Sequence, residues 1–249
     1  MKLICAGMPK TGTKSITKAL RHLGFTVFDW EEQTFDFLDH WLDVFQNGVK
    51  PDARRIYQNA DAVVDIPGNF FWEEILEAFP DCKVILSERD EDSWVKSLVK
   101  HLEISQAQAS LICILYNNML NLLSPTRRKF TYILDCHRGS ILGYRGNTGS
   151  TCVFRKRYRI HNHRVKSIVS RDKLLVYNVQ QGWKPLCDFL GCEVPAAAFP
   201  HENVKGELVK TIAALSVTRF GRQVKWEIQR KVFLTISVLV VIVAIYLIH

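Results

Sequence analysis

The apolar positions change period several times along the chain, and those changes divide it into elements. "KLICAG", residues 2–7, is a short apolar run ending in a glycine-rich turn, and in "KSITKALRHLGF" Ile16, Leu20 and Leu23 recur at helical spacing before Gly24 offers a stop. The opening therefore predicts strand, glycine loop and helix. An aromatic-rich helical stretch around "FDFLDHWLDVF" leads to a second strand, "ADAVVDIPG", and "FFWEEILEAFP" reads as a helix ended by Pro80. "CKVILSERD" is a third strand, dense in β-branched residues, flowing through an acidic turn into the helix "DSWVKSLVKHL". Residues 105–123 read as a helix whose "ICILYNNMLNLL" is apolar enough for the core, and "KLLVYNVQ" and "GWKPLCDFLG" give one more strand and a short helix. Strands alternating with helices predict an α/β fold of three layers, a parallel sheet covered by helices on both faces.

The C-terminal end breaks this alternation. "VFLTISVLVVIVAIYLIH", from Val232, carries no charge before its terminal histidine. A spanning helix needs about 20 apolar residues with a lower limit near 17, so residues 232–248 are predicted to be a C-terminal transmembrane helix, the competing reading being a buried helix of the globule. Arg219, Arg222, Lys225, Arg230 and Lys231 precede it, which places that side, and with it the body, in the cytosol by the positive-inside rule. The expected organisation is a domain over 1–204, a basic juxtamembrane segment over 205–231 and the membrane helix over 232–248.

Charge is unevenly distributed. The chain of 249 residues has a net charge of +8, yet residues 127–173 carry thirteen Lys or Arg against two acids and 205–231 carry seven against two. The basic centre fits nucleic acid, an anionic substrate or a solvated surface, and no RNA-recognition or zinc-finger pattern accompanies it, so no nucleic-acid partner is expected. Within it "GSILGYRGNTGS", residues 139–150, is expected to be a surface excursion (138–152) followed by no evident helix. The seven cysteines form no C-x-x-C pair, which fits a reducing compartment. His161, His163 and His201 lack metal-site spacing, and no metal is expected.

The candidate chemistry lies in "GMPKTGTKS", residues 7–15. Gly7 and Gly12 have the spacing of a nucleoside-triphosphatase P-loop, G-x-x-x-x-G-K-[ST], but Thr13 stands where the lysine belongs, while lysines occupy positions 10 and 14. Strand, P-K-[ST]-G-T, helix resembles the opening of the P-loop sulfotransferases that use 3′-phosphoadenosine-5′-phosphosulfate. The resemblance implies that Lys10 sits by the bridging oxygen that becomes the leaving group, and that Thr11, Gly12, Thr13, Lys14 and Ser15 hold the donor's 5′-phosphate at a helix N-terminus. In "SERDEDSWVKS" an arginine at a strand end precedes a serine by eight residues; the resemblance implies that Arg89 and Ser97 bind the 3′-phosphate. "HNHRVK", "KLLVYNV" and "GWKPLCDFLGCEVPAAAFPHEN" are similar to a branch of the family with poorly defined substrates. The likeness runs from Lys2 to Asn203, departing at 138–152 and after Lys210.

The implied activity is transfer of a sulfonate to a hydroxyl or amine of a small molecule, lipid or glycan, without a metal. A base must take the acceptor's proton. Asp65 stands first, at the end of the second strand, where the similar cytosolic enzymes carry a histidine before an x-Pro step; carboxyl ends of parallel strands are where ligands bind. Asp29, Glu31 and Glu32 in "FDWEEQ" are its rivals. Two other classes remain open from sequence: a P-loop NTPase or kinase, distinguished by magnesium dependence, and a catalytically inactive membrane-anchored nucleotide-binding adapter.

Overall fold

The computed structural model describes residues 1–107, 111–143, 149–201 and 219–248. The chain divides into two compact units, one of residues 1–107 with 133–203, the other of 108–132 with 204–249. Residues 108–132, expected within the domain, thus join the tail in the second unit.

The first unit is built on five parallel strands, β1 (Leu3–Cys5), β2 (Val27–Phe28), β3 (Ala62–Val64), β4 (Lys83–Ser87) and β5 (Leu174–Tyr177), in the order β2-β3-β1-β4-β5. β2 is absent from the sequence prediction because a two-residue edge strand carries no alternation to detect. The connecting helices are α1 (Thr13–His22), α2 (Trp30–Phe35), α3 (Leu38–Asn47), α4 (Ala53–Tyr57), α5 (Trp72–Ala78) and α6 (Glu91–Ala107). The aromatic stretch expected as one helix is two, broken at Asp36 and Phe37.

Burial explains why the strands pair in this register. Leu3, Cys5, Ala62, Val64 and Ile85 form one wall of a core with Ile16, Ala19 and Leu20 of α1. Leu186 and Cys187 of α10 (Trp183–Leu190) close the same cluster. The alternate positions Ile4, Val63, Val84 and Leu86 are as fully buried, so both faces of the sheet are covered, as a parallel sheet requires. A second cluster joins Met8 to Trp94, Val95, Leu98 and Leu102 of α6 and to Phe154 and Tyr158 of α9 (Thr151–Ile168).

One sequence expectation fails here, and one left open is narrowed. The glycine-rich excursion is partly helical: Arg138 to Leu142 close α8 (Pro125–Leu142), Thr151 opens α9, and residues 144–148 lie outside the described residues. Pro125 starts α8 at the position where a missing N–H costs nothing. The basic charge of α9 is not a free patch, since Arg155 pairs with Glu91 and Asp92, Arg159 with Glu91, Arg164 with Glu73 and Lys166 with Glu88. The solvated, ion-paired alternative is what this surface adopts.

In the second unit, α7 (Leu111–Leu123) buries none of its residues, contrary to the expectation that it is core. The C-terminal apolar run belongs to one continuous helix, α11 (Arg219–Ile248), in which the stretch Arg219–Leu247 is long and apolar enough to cross a membrane and its most apolar eighteen residues are unburied. Residues 205–218 of the expected juxtamembrane segment lie outside the described residues.

Ile85 is central to the sheet and fully buried. Ile85→Ala is expected to lower unfolding stability by about 2–5 kcal/mol in urea titrations; a loss below about 1 kcal/mol would mean this core is loosely packed.

Candidate active site

The strand order fixes where a ligand can sit. β1 lies between β3 and β4, so the loop after it opens at the carboxyl edge of the sheet, flanked by the ends of both neighbours. From β1 the chain passes through residues 6–12 and enters α1 at Gly12, whose backbone is left-handed at φ 99°. A side chain there would be strained, and its Cβ would lie 2.6 Å from Val179 Cγ1. Gly7 is required for a different reason: a Cβ would fall 1.8 Å from Ser87 Oγ.

Hydrogen bonds from the surrounding elements shape the loop. The Thr11 hydroxyl donates to Met8 O at 2.7 Å and shares a 2.5 Å bond with the Ser87 hydroxyl at the end of β4. Trp94 Nε1 on α6 donates to Pro9 O at 2.9 Å, and Asn69 Nδ2 to Gly7 O at 3.2 Å. His161 on α9 bonds Ala6 O at 2.6 Å through Nε2, and burial pushes its imidazole below the usual range. The neutral ring therefore donates through that nitrogen. Tyr158, stacked on Trp94 with ring centres 4.4 Å apart, bonds both backbone groups of Arg89 through its hydroxyl.

Against this frame, most of the sequence-derived site residues converge. Arg89 Nη1 donates to Lys10 O at 3.3 Å. Thr13 Oγ1 donates to Asp65 Oδ2 at 2.9 Å, and Ile66 N to Asp65 Oδ1 at 2.9 Å. Lys14 Nζ meets Asp29 Oδ2 at 2.7 Å. No side chain caps α1, so its first-turn amides keep the anion-binding character of a helix N-terminus. Thr11 faces inward as a brace of the loop, and Ser15 is buried. Ser97 is half-buried on α6, three residues beyond Trp94.

The rival carboxylates are largely committed elsewhere. Asp29 caps α2, its Oδ1 accepting from Trp30 N, while Glu32 bonds Asp29 N and Arg21. Glu31 is exposed.

Lys10 and Asp65 are the two non-glycine residues with positive φ among the described residues, both at 72°. Left-handed backbone costs a lysine or aspartate of order 1 kcal/mol or more and persists where the surroundings enforce it, commonly at functional sites. Electrostatics set the same two apart. Burial, chiefly, and then the Asp29 carboxylate push the Asp65 carboxyl up, against the opposing Lys14 charge and the two hydrogen bonds it accepts. Burial pulls Lys10 down, with Asp65 opposing and Arg89 adding to the fall. On Lys14 burial also pulls down, but Asp29, Asp65 and Glu31 outweigh it and the ammonium is held above its usual value.

Sequence reasoning missed Ser87, Asn69, Trp94, Tyr158 and His161. Their signal is tertiary, since each acts on the loop or on the Arg89 backbone from a distant element; Ser87 and Trp94 in "SERDEDSWVKS" and His161 in "HNHRVK" lay within stretches already singled out, without these roles.

A parallel sheet with β1 central and a glycine loop running into an uncapped helix define a P-loop-type α/β architecture. The family profile described as Sulfotransferase domain matches residues 2–208, and the chain belongs to the sulfotransferase family. It is therefore an enzyme of sulfonate transfer. It is similar to the Ava biosynthesis cluster protein M of Aspergillus versicolor, 30% identical over 217 residues, with 81% of this chain and 80% of that protein covered. The crystal structure of a sulfotransferase from Alicyclobacillus acidocaldarius is similar at 12% identity with a TM-score of 0.47, over 93% of this chain and 95% of that one.

The raised carboxyl of Asp65 has a consequence for stability. The folded state binds that proton more tightly than the unfolded chain does, so it holds more protons from about pH 4 up to the raised value, and stability falls as pH climbs through that window. Asp65→Asn keeps an acceptor for Thr13 and tolerates left-handed backbone. Its melting temperature relative to wild type is expected to rise from pH 4 to pH 8; a fall over the same range would mean that ionised Asp65 is net stabilising.

Proposed function

We propose that the enzyme takes its sulfonate from 3′-phosphoadenosine-5′-phosphosulfate and passes it to a hydroxyl or amine acceptor, acting from a body anchored on the cytosolic side of a membrane by α11. The observation that carries this reading is the pairing of the two left-handed residues, Lys10 and Asp65, about the uncapped start of α1. The uncapped turn suits the 5′-phosphate, bound through the amides of residues 12–15 with Lys14 supplying charge. Arg89, with its backbone fixed by Tyr158, and Ser97 on the next helix are the groups offered to the 3′-phosphate.

In this mechanism the acceptor oxygen or nitrogen attacks the sulfur. Its new bond to sulfur forms as the bond from sulfur to the bridging phosphate oxygen breaks, and the bonding pair stays on that oxygen. Lys10 neutralises the charge that accumulates there, a stabilisation present in the transition state and weaker in the ground state. Asp65 takes the acceptor's proton, and its raised carboxyl brings it closer to the strength a general base needs near neutral pH. The products are the sulfonated acceptor and adenosine 3′,5′-bisphosphate. No step calls for a divalent cation, so turnover is expected to persist in EDTA, where a kinase would stop.

Titration calorimetry tests donor recognition. Arg89→Ala is expected to weaken binding of the bisphosphate by at least about tenfold, since a charge-assisted contact contributes roughly 1.5–3 kcal/mol, while AMP is nearly unaffected; equal losses for both ligands would remove the assignment. Lys10→Ala should depress the single-turnover rate by about 10²-fold or more with donor affinity changed little, and a rate within about threefold of wild type would give Lys10 another role. The anchor has its own test: full-length protein should resist carbonate extraction with its body open to protease outside intact vesicles. A protected body would reverse the orientation.

A further inference from the structure

The second unit holds an apolar surface that the proposed chemistry does not use. α7 carries no charge in thirteen residues. Leu111, Ile112, Leu115, Tyr116, Met119 and Leu122 recur at helical spacing on one side of it, with exposures of 72% at Leu111, 79% at Ile112 and 69% at Leu122. On its other side Asn117 Oδ1 accepts from Arg127 Nη2 at 2.6 Å and Asn121 Oδ1 from the Thr131 hydroxyl at 3.3 Å. The apolar face itself is exposed, the reverse of a surface helix on a soluble globule.

What lies beside it identifies the occupant. The carboxylate of Glu227 on α11 accepts from the Ser124 hydroxyl at 2.6 Å, the Thr126 hydroxyl at 2.6 Å and Thr126 N at 3.1 Å, pinning the turn between α7 and α8 to α11. Lys231 Nζ donates to Leu122 O at 2.7 Å. Lys231 is the last charge before the uncharged run of α11, so α7 ends at the level where that run begins. Arg127, Arg128 and Lys129 open α8 directly after α7, and Arg230 and Lys231 directly precede the uncharged run of α11, a complement to anionic lipid headgroups. At about 20 Å, thirteen helical residues are too few to span a bilayer, and an uncharged apolar face of this length suits the boundary between headgroups and acyl chains.

We propose that α7 lies in the interface of the same membrane leaflet that α11 enters, its face of Leu111, Ile112, Leu115, Tyr116, Met119 and Leu122 immersed in lipid, so that the protein is held at two places rather than one. The inference rests on α11 being the anchor. A two-place hold restrains rotation of the protein about α11 and fixes which side of the second unit meets the lipid.

The test uses the full chain reconstituted in vesicles of phosphatidylcholine and phosphatidylserine that contain a phosphatidylcholine with a diazirine near the top of its acyl chain. After irradiation, lipid adducts are mapped by mass spectrometry. Adducts are expected on residues 111–123 and on 232–248, each at least about tenfold above the density on α9. Adducts on 232–248 without any on 111–123 would overturn the proposal and leave the anchor standing; cross-links between α7 helices of two molecules in that case would name a second copy as the cover. Adducts on neither segment would remove the anchor and this inference together. Ile112→Glu with Met119→Glu, both at exposed positions, should abolish the adducts on α7, keep those on α11 and leave sulfonate transfer to a soluble acceptor within about twofold; unchanged adducts on α7 would show that the face does not meet lipid.

Discussion

The first turn of α1 is left open at the carboxyl edge of the sheet, and the body is arranged around that opening. Its amides are not satisfied by a capping side chain because the residue in the N-cap position is Gly12, which reaches φ 99° and approaches Val179 too closely for a Cβ. The cost of glycine in place of a capping side chain, about a few tenths of a kcal/mol, is offset by hydrogen bonds that fix the loop from outside: Ser87 from β4, Asn69 after β3, Trp94 from α6 and His161 from α9. An anion arriving at this turn meets amides already oriented, so little ordering remains to oppose binding.

The same loop holds Lys10, and the end of β3 holds Asp65, in a conformation that glycine would adopt more cheaply. Glycine could supply the backbone but neither charge. Their environments push the two groups toward each other in strength: burial lowers the ammonium of Lys10 and raises the carboxyl of Asp65. Such a pair is costly for the fold and useful for proton and charge movement. Asp29 belongs to this arrangement as a positioning group, capping α2 with one oxygen and holding Lys14 with the other.

The sheet was legible in the sequence wherever a strand ran for three or more apolar residues, and illegible at β2, whose Val27 and Phe28 are placed by pairing to β3 rather than by their own pattern. The candidate site was legible as a motif because residue type and spacing are local to the loop: Gly12 and Thr13 open α1, and Arg89 bonds the Lys10 carbonyl. The frame around the loop was not, because Tyr158 and His161 lie some 70 to 155 residues from the backbone groups they bond. Composition misled at "ICILYNNMLNLL", where an apolar run reads equally as core or as exposed surface, and only the tertiary structure distinguishes the two. The glycine-rich excursion misled in the opposite direction, since Arg138 to Leu142 continue a helix in spite of Gly139.

The central claim is that the loop and the Arg89 strand end together read two phosphates at fixed separation on one nucleoside. Calorimetry with adenosine 3′,5′-bisphosphate against adenosine 2′,5′-bisphosphate tests it most directly, because the two ligands share charge, size and base and differ in the placement of one phosphate. The account predicts that the 3′,5′ isomer binds at least about tenfold more tightly, as loss of a charge-assisted hydrogen bond requires. Equal affinity for the two isomers would show that the site attracts phosphate by charge alone and would contradict the assignment of Arg89 and Ser97.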